Sequence, residues 1–320
     1  MAKRKGNGIW RCAVGAAFLT GPAGAEDLND VFGTLIREQA DGALAILGMS
    51  AVPGETTSTL FLDSGQPSDE TYDFKQAQLG GGFRFSKGVP IYMEGFIGIN
   101  RYDPVALLAE GDEQSRIPLK WTSFAATGGV GYEFDISEHW KIRPQLHLSL
   151  GRVQSDSSVG AQVIANRLGL DAEFLRGGGV TAGGYGGSIG IIYNQRWEND
   201  WEADLTVRYT DIYFEPIAGD QDLLANARAA STAMWSRLRA PTGYDLLNRP
   251  VRTVGEFSLA GFNGDQADVL GTDWLVQFGV GGEIDFSETW VPWITTTRLM
   301  FRYTRGEELE GFGVGLAASF

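Results

Sequence analysis

The sequence contains little of what most enzymes and nucleic-acid-binding proteins depend on. One cysteine and two histidines in 320 residues leave little material for a thiol nucleophile or a transition-metal site, so we expect no metal and no cofactor. The 26 basic residues are outnumbered by 40 acidic ones, which argues against nucleic acid as a partner. No run of about 18 apolar residues occurs, which excludes transmembrane helices. What is abundant is glycine, with 44 residues, and aromatics, at 12%, a composition that favours strands.

Residues 1–25 have the layout of a secretory signal peptide. Four basic residues, Lys3, Arg4, Lys5 and Arg11, precede a short apolar stretch at 12–20, and Ala23-Gly24-Ala25 supplies the small residues of a cleavage site. The alternative is an ordinary buried N-terminal helix. Because the only cysteine lies in this stretch, the exported chain would have no disulfide and would be stabilised by its fold alone.

Residues 26–42 are predicted to form an amphipathic helix. Leu28, Val31, Phe32, Leu35 and Ile36 are spaced to lie on one helical face. We expect this helix either to plug a pore or to lie at the membrane interface.

From residue 43 to residue 320 the hydrophobic pattern changes to a period of two. In 140–151, 201–210 and 274–286, apolar residues alternate with polar residues or glycine. These segments are long enough for a tilted crossing of a bilayer, and aromatic residues cluster at the ends of their apolar faces. The pattern predicts an all-β fold, a transmembrane antiparallel up-and-down β-barrel preceded by the short N-terminal helix.

The strand number is predicted as ten to twelve, with twelve preferred. Nine segments are clear, 55–63 makes ten, and the weaker candidates 43–52 and 251–262 would make twelve. Short aromatic-flanked connections at 134–140, 197–201 and 286–290 are expected to be periplasmic turns. The long connections 103–119, 153–182 and 216–270 are expected to be extracellular, with helical stretches at 159–174 and 220–238.

The last ten residues, GFGVGLAASF, form the most specific pattern in the chain. Phe312, Val314, Leu316 and Phe320 share one face of a strand that ends in an aromatic residue. Barrel assembly machinery recognises such a C-terminal strand by strand addition, so these four residues are the predicted assembly signal and that machinery is a predicted partner.

Charged residues at alternate strand positions are predicted to line the lumen. They are Arg84, Glu94, Lys141, Arg143, Glu202, Asp204, Arg208, Arg298 and Arg302. Acids and bases in a narrow lumen either pair in networks or, if segregated, form a selective pore. His147 and Ser149 share the same face and form the one candidate for a base and a nucleophile. A His-x-Ser pair also resembles that of lipid A 3-O-deacylases, although we expect two polar lumen residues and no catalytic site.

The signal peptide, the short helix, the Gly-Gly-Val-Gly-Tyr-Glu-Phe run in strand 121–135 and the final aromatic strand resemble the translocator barrels of autotransporters. Within that family the layout is similar to the solitary barrels that lack a passenger. The resemblance implies a non-enzymatic barrel in the outer membrane of a Gram-negative bacterium, with a structural, adhesive or narrow-channel role. Outer-membrane lipid or lipopolysaccharide is then an expected partner. The alternatives are a lipid A-modifying hydrolase and a small-solute porin.

Overall fold

The computed structural model describes residues 17–18, 47–48, 58–64, 73–86, 88–103, 105–110, 113–118, 120–155, 179–219, 226–270, 272–285, 296–307 and 309–319. Twelve strands of one sheet dominate these ranges. They are β1 (Ser58–Ser64), β2 (Asp73–Ser86), β3 (Val89–Asp103), β4 (Trp121–Tyr132), β5 (Trp140–Ser155), β6 (Gly179–Arg196), β7 (Glu202–Gly219), β8 (Ala227–Leu246), β9 (Arg249–Phe262), β10 (Trp274–Asp285), β11 (Thr296–Arg305) and β12 (Leu309–Ser319). Each strand pairs with the next in antiparallel register.

The twelve strands close into a ring. The last strand pairs with the first, from Leu309 opposite Ser64 to Gly315 opposite Ser58, and no strand of the twelve is left with a free edge. Closure satisfies backbone groups that lipid cannot, which is why a sheet that crosses a membrane must form a barrel. The predicted barrel and the preferred number of twelve strands are confirmed.

Smaller elements lie outside the ring. Val105–Glu110 and Glu113–Pro118 form a hairpin between β3 and β4, and Ala17–Phe18 pairs in parallel with its first strand. Phe134–Asp135 pairs with the start of β5. A six-residue helix, α1 (Asp265–Leu270), precedes β10. In the described ranges no helix combines the length and hydropathy needed to cross a membrane.

The predicted helix at 220–238 is wrong, because most of that stretch belongs to β8. The helix is suggested by Ala227 and Ala230, which are spaced to share a helical face with Leu223 and Leu224, but β8 pairs with β9, which contains the weak strand candidate 251–262. Leu247 and Asn248 join the two strands with φ of 56° and 60°, the left-handed backbone of a tight hairpin. The expected long connection 216–270 therefore contains a complete transmembrane hairpin.

Other expected elements lie outside the described residues. They are the signal peptide at 1–25 apart from residues 17–18, the helix at 26–42, the loop helix at 159–174, the turn at 286–290, and the strand at 43–52 apart from residues 47–48.

The connections differ between the two ends of the barrel. Short turns join β2 to β3, β6 to β7 and β8 to β9 at one end, which we call the turn end. The longest connections, β3 to β4 and β5 to β6, lie at the opposite end, which we call the loop end. The turns at 134–140 and 197–201 are both at the turn end, as the sequence predicts.

The two faces of the wall differ in chemistry. Leu146 and Leu148 on β5 point outwards and are 71% and 72% exposed, whereas His147 between them is 1% exposed. The same alternation holds around the ring, with Ile97 and Ile99 outward on β3 and Phe301 outward on β11. An apolar exterior around a polar interior is the inverse of a soluble protein and is typical of a barrel in lipid.

Candidate functional site: the lumen

The loop end of the lumen is filled by apolar side chains. Inward residues from nine of the twelve strands form one cluster, which we call the loop-end apolar cluster: Phe74, Tyr102, Trp121, Ala125, Val153, Ala182, Ile212, Phe214, Ala227, Ala229, Leu275 and Leu309, together with Leu47. These side chains are all less than 9% exposed. The lumen is therefore apolar at its loop end, whereas the sequence analysis predicts only charged and polar residues there.

A segment that precedes β1 reaches into this cluster. Leu47 is fully buried and lies so close to Gly151 of β5 that a Cβ added there would be 2.7 Å from its Cδ1. A Cβ on the next residue, Gly48, would be 2.4 Å from the Cβ of Ala229 on β8. Residues 47–48 thus lie between β5 and β8, inside the ring.

Nearer the turn end, the buried carboxylate of Glu133 links β2 and β5 by accepting hydrogen bonds from an arginine on each strand. Glu133 is 5% exposed and receives Arg84 Nε at 2.7 Å from β2 and Arg143 Nε at 2.9 Å from β5. Lys141 Nζ lies 3.8 Å from the same carboxylate. The Arg143 guanidinium also stacks 3.5 Å from the ring centre of Tyr92, a cation–π contact. Arg84, Lys141 and Arg143, three of the residues predicted to line the lumen, thus surround Glu133.

A second group, the Glu94 cluster, joins strands that are not neighbours. Arg208 Nη1 of β7 lies 3.3 Å from Glu94 Oε2 of β3, and three strands separate the two along the wall. His147 of β5 lies between them, with Nδ1 3.5 Å from Glu94 Oε1 and Nε2 2.8 Å from Ser188 Oγ of β6. All four residues are less than 9% exposed. The contact from Arg208 to Glu94 therefore crosses part of the lumen.

His147 and Ser149, the one candidate pair of base and nucleophile, do not contact each other. Ser149 Oγ instead lies 2.8 Å from Thr127 Oγ1, and the serine beside His147 is Ser188, one strand further along. The sequence places His147 and Ser149 on one face correctly, but cross-strand register decides which hydroxyl meets the ring. Ser188 was missed because nothing in its own strand reveals that register.

The largest group of charges fills the turn-end half of the lumen between β7 and β11. Four acids, Glu202, Asp204, Glu256 and Glu283, alternate with five arginines, Arg237, Arg239, Arg252, Arg298 and Arg302. Representative distances are 2.6 Å from Arg239 Nη2 to Asp204 Oδ2 and 2.7 Å from Arg302 Nη2 to Glu256 Oε2. We call this group the Glu256–Glu283 network.

Glycine makes room for one of these arginines. A Cβ built on Gly315 of β12 would lie 1.8 Å from Arg302 Nη1, so any other residue there would displace the guanidinium. Gly315 therefore leaves the space that Arg302 occupies in the lumen.

All nine predicted lumen charges point inwards, and the structure brings them together in three groups. The sequence analysis does not identify Arg237, Arg239, Arg252 and Glu256, because it predicts a loop helix over 220–238 and only a weak strand over 251–262. The alternation Arg237-Leu-Arg239, followed by the Asn248 turn, was a usable signal for that hairpin. Of the predicted assembly signal, Phe312, Val314 and Leu316 point outwards at 68%, 42% and 57% exposure, and Phe320 lies outside the described residues.

The closed antiparallel ring, the apolar exterior and the charged interior define a transmembrane β-barrel of the outer-membrane class. The protein is accordingly an outer-membrane β-barrel protein.

Comparison with solved structures finds barrels of this class. They include the β domain of the Bordetella autotransporter BrkA, with 14% identity, 82% of this chain and 97% of that chain covered, and a TM-score of 0.46. The translocator domain of the autotransporter NalP from Neisseria meningitidis has 12% identity, with 91% of this chain and 98% of that chain covered and a TM-score of 0.45. LpxR from Salmonella typhimurium has 9% identity, with 83% of this chain and 100% of that chain covered and a TM-score of 0.39. No family model and no curated protein matches the sequence. At such identities the role of each residue has to be argued from this chain's own geometry.

Proposed function

We propose that this protein is an outer-membrane barrel of autotransporter-translocator type with a structural or adhesive role, and that its lumen is closed and carries no catalytic centre. The observation that carries the proposal is Leu47, fully buried in the loop-end apolar cluster. A translocator barrel requires a segment that precedes its first strand to lie inside the ring, and Leu47 belongs to such a segment. A simple diffusion pore needs a wet passage instead.

The arrangement of charge supports the same proposal. A selective pore needs cations and anions segregated so that a field crosses the lumen. In the Glu256–Glu283 network each acid contacts arginine, and Glu133 is surrounded by Arg84, Lys141 and Arg143. Charges paired in this way hold strands together and leave little field for a passing ion.

Single-channel recording tests the closed lumen. We expect residues 26–320, refolded into a planar bilayer, to be electrically silent. We expect Leu47→Asp to give stable conductance steps, because a carboxylate cannot remain in an apolar cluster. The matched control is Leu247→Asp, at a turn position that is 76% exposed, which should stay silent. Stable steps of defined size from the unmodified chain would support the porin alternative and contradict the proposal.

A second candidate function rests on one distance. His147 Nε2 lies 2.8 Å from Ser188 Oγ, and Glu94 faces the other ring nitrogen, which is the order of nucleophile, base and orienting acid in serine hydrolases. In such a reaction the Ser188 oxygen would attack an acyl carbonyl, His147 would take the hydroxyl proton and return it to the leaving alcohol, and water would release the acid. This arrangement would move the lipid A hydrolase alternative from Ser149 to Ser188.

Labelling with a fluorophosphonate, which reacts with activated serines, separates the two functions. We expect no labelling of the reconstituted barrel, because Ser188 is 8% exposed and the 3.5 Å between His147 and Glu94 is too long for a hydrogen bond. Labelling that is lost in Ser188→Ala and kept in Ser149→Ala would establish the hydrolase and overturn the non-enzymatic proposal.

A further inference from the structure

One arginine of the Glu256–Glu283 network has no carboxylate oxygen at close hydrogen-bond distance. Arg298 is 4% exposed, its Nη1 lies 3.3 Å from Glu283 Oε2, and its Nε lies 4.0 Å from Glu256 Oε1. In each of the other four arginines a guanidinium nitrogen lies within 2.9 Å of a carboxylate oxygen: Arg237, Arg239, Arg252 and Arg302. Arg298 is therefore the most weakly paired cation of the network, although it is among the most buried.

Glu283 cannot satisfy Arg298 alone, because three arginines share this carboxylate. Its Oε1 accepts a hydrogen bond from Arg252 Nη2, and its Oε2 lies 3.3 Å from Arg298 Nη1 and also 3.3 Å from Arg239 Nε, the latter outside hydrogen-bond geometry. The Nε groups of all three arginines are buried and have no hydrogen-bond acceptor among the described residues. Buried donors that lack an acceptor in a native structure indicate a bound water or ion.

The other surroundings of Arg298 do not supply the missing negative charge. Glu256 already accepts hydrogen bonds from Arg237 Nε at 2.8 Å and from Arg302 Nε at 2.9 Å. Arg237 and Arg239 of β8 are close enough to Arg298 for their positive charges to repel it. Two shared acids and two repelling cations leave the charge of Arg298 poorly compensated, which is costly in a buried position.

The charged half of the lumen is accessible from the turn end. The side chain of Glu283 is 1% exposed, whereas those of Glu202 and Asp204, at the start of β7 directly after the turn 197–201, are 19% and 26% exposed. The loop-end apolar cluster fills the opposite half of the lumen. An ion that reaches Arg298 therefore enters from the turn end and loses most of its water on the way.

We propose that Arg298 binds a small monovalent inorganic anion, chloride, in the turn-end half of the lumen. The Nε–H of Arg298 is the main donor, and the Nε–H groups of Arg239 and Arg252 are further unmet donors around the same carboxylate. A guanidinium is weakly hydrated and therefore suits an anion that has given up water. A polyvalent anion would be repelled by the buried carboxylates of Glu256 and Glu283. The inference goes beyond the proposed function and does not depend on whether the loop end is closed.

Chloride-dependent stability tests the site on the whole barrel. Urea unfolding of the refolded protein is measured at neutral pH while sodium chloride replaces sodium gluconate at constant ionic strength. We expect the unfolding midpoint to rise and then level off, because a ligand that binds only the folded state stabilises it in a saturable way. At a chloride concentration of about ten times its Kd, the ratio of folded to unfolded protein should be about tenfold higher than in gluconate.

Two substitutions of Arg298 distinguish an anion site from an ordinary ion pair. Arg298→Met should remove the chloride dependence without lowering the midpoint in gluconate, because Glu283 keeps Arg239 and Arg252 while the poorly compensated charge is gone. Arg298→Lys should keep a weaker chloride dependence, because it retains the charge and loses the Nε donor.

The matched control removes a well-paired arginine from the same lumen. Arg143 donates to Glu133 at 2.9 Å, so Arg143→Met should lower the midpoint in both salts and keep the full chloride dependence. Bromide in place of chloride, located by anomalous X-ray scattering from crystals of the unmodified barrel, should give a peak beside the Arg298 guanidinium.

Three outcomes would overturn the proposal. The first is an unmodified barrel whose midpoint is the same in chloride and gluconate, which would assign the unmet donors to water. The second is an undiminished chloride dependence, or an undiminished bromide peak, in Arg298→Met. The third is an equal loss of the dependence in Arg143→Met, which would mean that the total charge of the lumen decides and that Arg298 is not a specific site.

Discussion

Replacing Glu256 with glutamine is expected to lower the free energy of unfolding by about 3 kcal/mol, since removing one partner of a buried ion pair leaves the other charge uncompensated. Glu256 is the acceptor for Arg237 Nε at 2.8 Å and for Arg302 Nε at 2.9 Å. The amide keeps the shape of the carboxylate and removes its charge, so Arg302 and Arg237 each lose one carboxylate contact, although Arg237 keeps Asp204 Oδ2 at 3.4 Å. Urea unfolding from lipid vesicles, followed by tryptophan fluorescence, measures the change.

Two further variants control for this effect. Glu198→Gln removes the same charge from an exposed turn position and should change stability by less than about 0.5 kcal/mol. Combining Glu256→Gln with Arg302→Met should cost less than the sum of the two single changes, because the double variant removes both members of the pair. Additive losses would show that the network does not act through this contact.

Leu148→Arg on the outward face is expected to destabilise the barrel by about 2–4 kcal/mol, the cost of an arginine facing lipid near the midplane. Leu148 is 72% exposed and lies between two other outward leucines of β5. The same unfolding assay measures the loss.

The control uses the same strand and face at a different depth. Gln154→Arg places an identical side chain beyond Arg152, at the interface, where the cost should fall to about 0–1 kcal/mol. Equal costs at the two positions would mean that residue 148 does not face hydrocarbon, and the assignment of the outward face would be wrong.

The sequence predicted the faces of the wall well and the neighbours of each residue poorly. Alternation on β5 and β7 was enough to assign Arg143 and Arg208 to the lumen, because a strand has only two faces. Alternation contains no information about register between strands. Ser188 was therefore missed as the partner of His147, although both lie on clear strands.

The two larger errors have compositional causes. β8 is rich in alanine at its loop end, and small residues suit both a helix and the crowded interior of a ring. The apolar residues that fill the loop end, such as Phe74 and Trp121, are single inward positions spread over many strands. No local window of sequence contains enough of them to show that they would meet.

The closing pair of strands has a consequence for how the chain acquires its structure. β12 meets β1 through seven residue pairs, whereas β6 meets β7 through seventeen. The pairs at closure join the two ends of the barrel sequence, so they carry the largest loop-closure entropy for a small number of pairs; only β1–β2, with six pairs, has fewer. High contact order slows folding, and here it is concentrated in one contact. Hairpins such as β6–β7 are therefore expected to form early, and sealing of the ring is expected to be the late, rate-limiting event.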